Sequence, residues 1–144
     1  MELYSQQVID FLKILSNNLL IGRNIEYSLR KAFENTLELQ EEKEKWIKYL
    51  NLGLSIDDIL IKLAKETKDK SLSRIWLLTA KITKLSTYNA GKKLLTIAQN
   101  LERNHILVQK RDSLIKAQKY KVTFLNWMTA FFLGIIASLA PFFI

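Results

Sequence analysis

The chain has no cysteine, one histidine, one proline and four glycines in 144 residues. Without thiols, disulfides and thiolate metal sites are excluded, while the redox compartment stays open. With His105 as the lone imidazole, sites that need two histidines or a histidine–cysteine pair cannot be assembled. Pro141 and Gly22, Gly53, Gly91 and Gly134 supply few of the tight-turn signals that strands require, and no stretch of alternating β-branched residues is present. What fills the chain instead is long Leu-, Ile-, Lys- and Glu-rich runs, which predict an all-α protein.

The last absence is charge. Residues 122–144, VTFLNWMTAFFLGIIASLAPFFI, contain no Asp, Glu, Lys, Arg or His. A bilayer core of about 30 Å needs roughly 20 apolar residues in helix, so this segment is long enough to cross. Its polar residues Thr123 and Asn126 lie near the start, Trp127 sits where an interfacial ring would, and Pro141 falls near the end. A buried central helix can have the same composition, but 121 remaining residues form a thin shell for it. The division expected is a helical domain over 1–121 and a transmembrane helix over 122–144.

The formal net charge of +8 therefore lies wholly before residue 122. From Arg103 to Lys121 there are six basic residues, Arg103, Lys110, Arg111, Lys116, Lys119 and Lys121, against the single acid Asp112. By the positive-inside rule this flank keeps the N-terminal domain in the cytoplasm and points the C-terminus outward, as a single-pass protein of the cytoplasmic membrane. The five from Lys110 to Lys121 are placed to meet anionic lipid. Tyr120 is the only aromatic in the cluster, so the pattern lacks the interleaved rings of a nucleic-acid surface, and no nucleic-acid partner is expected. The N-terminal stretch, interrupted by Asp10 and Lys13 and without a positive leader, does not read as a signal peptide.

Helical spacing recurs along the domain. Over residues 3 to 20, Val8, Phe11, Leu12, Leu15 and Leu19 share one stripe. Gly22 breaks the run, and Asn24 is placed to cap a helix burying Ile25, Leu29, Ala32 and Phe33. After an acidic segment, Glu38 to Glu44, comes a short helix with Trp46, Ile47 and Leu50, ended by Gly53. Ser55 followed by Asp57 and Asp58 is a helix start, with Ile59, Leu60, Leu63 and Ala64 inward. A further helix should bury Leu72, Ile75, Trp76, Thr79 and Ile82, with Leu85 at its margin, and the longest run is expected after Gly91.

In that run Leu94, Leu101, Val108, Ile115 and Val122 repeat every seven residues, which requires a packed face. The companion seam, Ile97, Asn104, Arg111 and Gln118, is polar and favours a core face of the same domain over a separate coiled coil. Gly22, Gly53 and Gly91 each precede an apolar residue by three positions (Ile25, Ile56, Leu94) and another by seven (Leu29, Leu60, Ala98). We read them as the turns of three helix–Gly–helix hairpins closing into a six-helix bundle, with a small helical solenoid as the alternative. Within the apolar segment, Ala130, Gly134 and Ser138 fall four apart, a face that permits close helix approach in lipid to a second copy or to other membrane helices.

No catalytic constellation emerges, so no cofactor or metal is expected. Gly91-Lys92-Lys93 is not a phosphate loop, because Ser86 stands where its first glycine belongs and Lys93 where Ser or Thr must follow the lysine. Asp57 and Asp58 are accounted for as helix-start residues, and Glu38 to Glu44 as an exposed acidic link.

Taken in order, a helix ending Leu-x-x-Gly, then LGLSIDDILIKLAKE, a Trp-containing helix, LLTIAQNLE, and a basic stretch into YKVTFLNWMTAFFLGIIASLAPFF resemble the type II secretion system F domain, most closely its archaeal branch. The likeness covers roughly residues 5 to 143 through loose Gly-plus-apolar patterns. It implies a non-enzymatic platform of type II secretion, type IV or Tad pili, or archaeal pili and archaella. Such a platform docks a hexameric secretion ATPase and gathers pilin-like subunits. Exposed charges near the hairpin turns, Arg23, Lys92 and Lys93, are then the candidates for the ATPase contact. Family members generally have several spans and often two such domains. One of each here suggests a fragment, a split half that joins a partner half, or a reduced homologue that forms a homo-oligomer. A tail-anchored helical adaptor for a soluble partner is the competing expectation.

Overall fold

A computed structural model describes residues 6–143, which are helical almost throughout and form no strand. Residues 3–5 of the expected first helix, and Ile144, lie outside the described residues. Six α-helices follow in order: α1 (Gln6–Leu20), α2 (Ile25–Glu34), α3 (Gln40–Asn51), α4 (Ile56–Glu66), α5 (Lys70–Ile82) and α6 (Thr87–Leu139). One-turn 3-10 helices lie at Leu37–Leu39 and Ala140–Phe142. The chain divides into two compact units, residues 6–105 and 106–143.

The first unit is a helical bundle around one core. The stripe Val8, Phe11, Leu12, Leu15 and Leu19 of α1 is buried, as are Leu29, Ala32 and Phe33 of α2 and Ile59, Leu60, Leu63 and Ala64 of α4. At the centre, the Phe33 ring lies 4.9 Å from Phe11 and 5.7 Å from both Trp46 and Trp76, while Phe11 meets Trp76 edge-on at 5.4 Å. Such ring pairs contribute about 0.5–1.5 kcal/mol each beyond their buried area. Together they tie α1, α2, α3 and α5 to one point. Buried hydroxyls are satisfied within their own turns: Ser16, Ser28, Thr36 and Thr79 donate to the carbonyls of Lys13, Asn24, Ala32 and Ile75. In α3 the inward face is Trp46, Tyr49 and Leu50, and Ile47 is 45% exposed. It falls off the i, i+3, i+4 row that the other three occupy.

Helix ends explain where the chain turns. Gly22 has φ +88° and Gly53 φ +80°. After α1, Gly22 and Arg23 donate to the carbonyls of Leu19 and Asn18; after α3, Gly53 and Leu54 donate to those of Leu50 and Tyr49. Both are Schellman endings, in which a left-handed residue folds two amides back onto orphan carbonyls. Each is followed two residues later by a cap. The Asn24 carboxamide accepts from Tyr27 N at 2.8 Å, and the Ser55 hydroxyl accepts from Asp58 N at 3.3 Å.

Gly91 is a different case, and here the sequence expectation is corrected. It lies inside α6, five residues into a helix that already begins at Thr87, and its neighbours are Leu20 and Ser16 of α1. The true third start is Ser86, whose hydroxyl accepts from Asn89 N at 3.4 Å. The caps Asn24, Ser55 and Ser86 are evenly spaced, since 55 minus 24 and 86 minus 55 both give 31. Lys84 therefore occupies the place that Gly22 and Gly53 hold in the first two turns, and it has no positive φ. Its turn is held differently: the Thr83 hydroxyl donates to Asp57 Oδ1 at 3.0 Å, bridging to α4.

Gly91 instead permits helix contact. An added Cβ would lie 3.0 Å from Leu20 N and 3.1 Å from the Ser16 carbonyl oxygen, so the absent side chain lets α6 run against the α1 backbone. Lys13 Nζ and Glu102 Oε2, 2.8 Å apart, join the same two helices further along and fix them antiparallel.

Candidate docking surface and membrane segment

Between α5 and the start of α6 the first unit carries an open groove of about 530 Å³. Leu78, Ile82 and Leu85 supply one side of its floor and Ile97 the other. Ile82 belongs to the core, whereas Leu78 and Leu85 are 38% and 40% exposed. These three recur at i, i+4 and i+7 along the last turns of α5 and just beyond, a second apolar row beside the core-facing Ile75, Trp76 and Thr79. Leu85, expected at the margin of the core, faces this groove instead.

Three cations rim it. Lys81, Lys92 and Lys93 are exposed lining residues, joined by Thr96, and no lining residue is acidic. Lys92 Nζ sits 5.3 Å from the Tyr88 ring centroid. The bundle's described ion pairs engage other lysines: Lys13 with Glu102, Lys31 with Glu34, and Lys45 with Glu41 and Glu66.

Of the three basic residues expected near turns, the structure thus brings Lys92 and Lys93 together and leaves Arg23 outside the groove. The Arg23 guanidinium lies 5.1 Å from the Tyr27 ring, which Arg30 and Lys31 also approach, at 5.6 and 5.7 Å. This makes a separate basic patch at the α1–α2 turn. The apolar floor was not legible beforehand, because Leu78 reads as one more leucine on a helix whose core stripe is already complete.

A polar recess lies elsewhere, between α3 and the α4–α5 link. The Tyr49 hydroxyl donates to Glu66 Oε1 at 2.5 Å, and Lys62 Nζ sits 4.6 Å from the Tyr49 ring centroid. The hydrogen bond to Glu66 pushes the phenol pKa above its usual value, with burial and the carboxylate's charge adding in the same direction. Among the described residues, no group of three or more His, Cys, Asp and Glu side chains is placed to hold a metal ion.

The second unit, 106–143, consists of the rest of α6 and the final 3-10 turn. Lys110, Arg111, Lys116, Lys119 and Lys121 are all exposed on it. α6 continues without a break between residues 118 and 124. Among the described residues it is the one helix long and apolar enough to cross a membrane, and its most apolar window is unburied. Trp127 stacks on Phe131, with centroids 6.0 Å apart and planes 11° from parallel. The sevenfold stripe is buried at Leu94, half-buried at Leu101 and Val108, and exposed at Ile115 and Val122. It is therefore a core face only at its beginning, and the expectation of a core contact along its whole length is corrected.

Ala130, Gly134 and Ser138 are exposed positions of this unit, and nothing lies within 4 Å of a Cβ built on Gly134. The Ser138 hydroxyl donates to the Ile135 carbonyl at 2.8 Å, so its polar group is satisfied within the helix.

Comparison of the chain with protein-family models, curated proteins and solved structures returns no match.

Proposed function

We propose that this protein is a non-enzymatic membrane platform of the type II secretion or type IV-pilus-like class. In this reading its helical bundle lies in the cytoplasm as three hairpins, α1–α2, α3–α4 and α5–α6, closed by α1 on α6. The bundle docks a hexameric secretion ATPase, and the apolar part of α6 crosses the cytoplasmic membrane once and meets pilin-like subunits.

The observation that carries the reading is the make-up of α6. One helix bears the groove lysines Lys92 and Lys93, then five exposed basic residues from Lys110 to Lys121, then the uncharged apolar segment. A basic flank followed by an uncharged span is the charge asymmetry that holds a domain on the cytoplasmic side, and the flank suits anionic lipid. The 31-residue spacing of helix starts and the left-handed glycines at two turns support a plan of helical hairpins. Ala130, Gly134 and Ser138 offer the face on which a second copy or a partner platform half would pack.

The test is capture of a secretion-type ATPase by the full chain in detergent. Retention at moderate salt, reduced by charge reversal at Lys92 and Lys93, supports docking. A bundle that ignores the ATPase contradicts the platform and leaves a tail-anchored helical adaptor.

A further inference from the structure

We infer that the α5–α6 groove receives a short acidic amphipathic helix of a partner protein. Its apolar side chains would seat on Leu78, Ile82, Leu85 and Ile97, and its carboxylates would meet Lys81, Lys92 and Lys93. The inference rests on the docking reading only in that the bundle binds a protein, and it holds whichever protein that is.

Three properties of the groove select this occupant. The first is shape. Leu78 and Ile82 lie one turn apart on α5, about 6 Å at 1.5 Å per residue, with Leu85 just past the helix end, which matches two apolar residues at i and i+4 of a docked helix. A trough between two helices also takes a third by seating its side-chain ridge, as helices do in bundles. The volume of about 530 Å³ is that of a seat for a few side chains.

The second is exposure. Leu78 of α5 and Leu85 just past its end keep more than a third of their surface open although the core row of α5 is complete. Burying them would remove apolar area from water without disturbing the bundle.

The third is charge. Three lysines converge on an apolar floor with no carboxylate among the lining residues, whereas Lys13, Lys31 and Lys45 are each paired with glutamate. The rim selects an anionic partner, and the floor demands that it be apolar on one side. A polyanion without an apolar face would leave Leu78 and Leu85 exposed. Acidic residues flanking a Leu-rich face satisfy both demands, and their carboxylates would speed encounter with the basic rim.

The experiment uses the full chain in phosphatidylcholine nanodiscs and a fluorescein-labelled peptide of about 18 residues, with leucines at i, i+3, i+4 and i+7 and glutamates elsewhere. A scrambled peptide of equal composition is the control. The expected result is saturable anisotropy for the amphipathic peptide and binding at least about tenfold weaker for the scrambled one. Leu78→Ser with Leu85→Ser, and separately Lys92→Glu with Lys93→Glu, should each weaken binding about tenfold while leaving the far-ultraviolet circular dichroism unchanged. Carbodiimide cross-links should map to Lys81, Lys92 or Lys93.

Equal binding of both peptides, or cross-links confined to Lys110, Lys116, Lys119 and Lys121, overturns the inference. So does a groove that ignores the peptide while short-chain phosphatidylglycerol protects Lys92 and Lys93 from acylation, which would make it a lipid seat. Capture of a secretion ATPase without peptide binding overturns the groove and keeps the platform. Peptide binding without ATPase capture does the reverse.

Discussion

Replacing Gly91 by alanine sets two effects of opposite sign against each other. In a helix interior alanine is better than glycine by about 1 kcal/mol, so propensity alone stabilises the variant. Packing opposes it, because the new methyl would stand 3.0 Å from Leu20 N and Leu20 Cγ and 3.1 Å from the Ser16 oxygen. Two of those three atoms are α1 backbone and cannot rotate away. α1 would have to retreat from α6 by several tenths of an ångström, while its core row and the Lys13–Glu102 pair hold it in place. Overpacking of this kind costs about 1–3 kcal/mol. The net expectation is destabilisation of about 1 kcal/mol, which for a domain of this size lowers the melting midpoint by about 4–8 °C. Gly91→Val adds β-branching at the same contact and should lower it further. The assay is thermal melting in detergent followed by tryptophan fluorescence in a Trp127→Phe background, so that Trp46 and Trp76 report the core. A higher midpoint for Gly91→Ala would refute the close-approach reading, since it would mean that propensity acts unopposed.

The turn glycines should behave differently. At Gly22 and Gly53 nothing lies within 4 Å of an added Cβ but φ is positive, so alanine should cost about 1–2 kcal/mol through backbone strain alone. Asparagine, which tolerates that region, should cost less than alanine at both, whereas at Gly91 it should cost more; chemical denaturation of the six variants checks the order. Tyr49 is held in its neutral form by Glu66, so its contribution is present below about pH 10 and is lost as pH rises through its raised pKa. Tyr49→Phe should therefore flatten the alkaline fall in stability, and an unchanged slope in pH-dependent melts would contradict this. Gly134→Leu should weaken self-association in a membrane two-hybrid assay if the small-residue face is used between copies, and an unchanged signal would exclude that use.

Much of the bundle was legible because burial follows helical period. The α1 row, the α4 row and the caps at Asn24 and Ser55 are local patterns, readable from residues within a turn or two of one another. What escaped was set by tertiary context. Gly91 reads as a breaker beside Gly22 and Gly53, although it is followed by Leu94 and Ala98, the spacing of a helix face that includes Ala90 and itself. Counting from the caps rather than from the glycines would have placed the third helix start at Ser86. In α3 hydrophobicity alone does not separate Ile47 from its neighbours, and helical phase turns Ile47 outward and Tyr49 inward. The Tyr49–Glu66 and Thr83–Asp57 hydrogen bonds join residues far apart in the chain and leave no local signal. The candidate site was half legible: the two adjacent lysines were visible, but their apolar floor exists only once α5 lies beside α6.

The central claim is a single crossing with the bundle inside, and the natural absence of cysteine makes it directly measurable. Single cysteines at Ser113, in the basic flank, and at Phe143, at the far end of the apolar segment, can be probed in intact cells with a membrane-impermeant maleimide. The account predicts that the Phe143→Cys protein is labelled at once and the Ser113→Cys protein only after permeabilisation. Labelling of both in intact cells, or of Ser113→Cys alone, would contradict it.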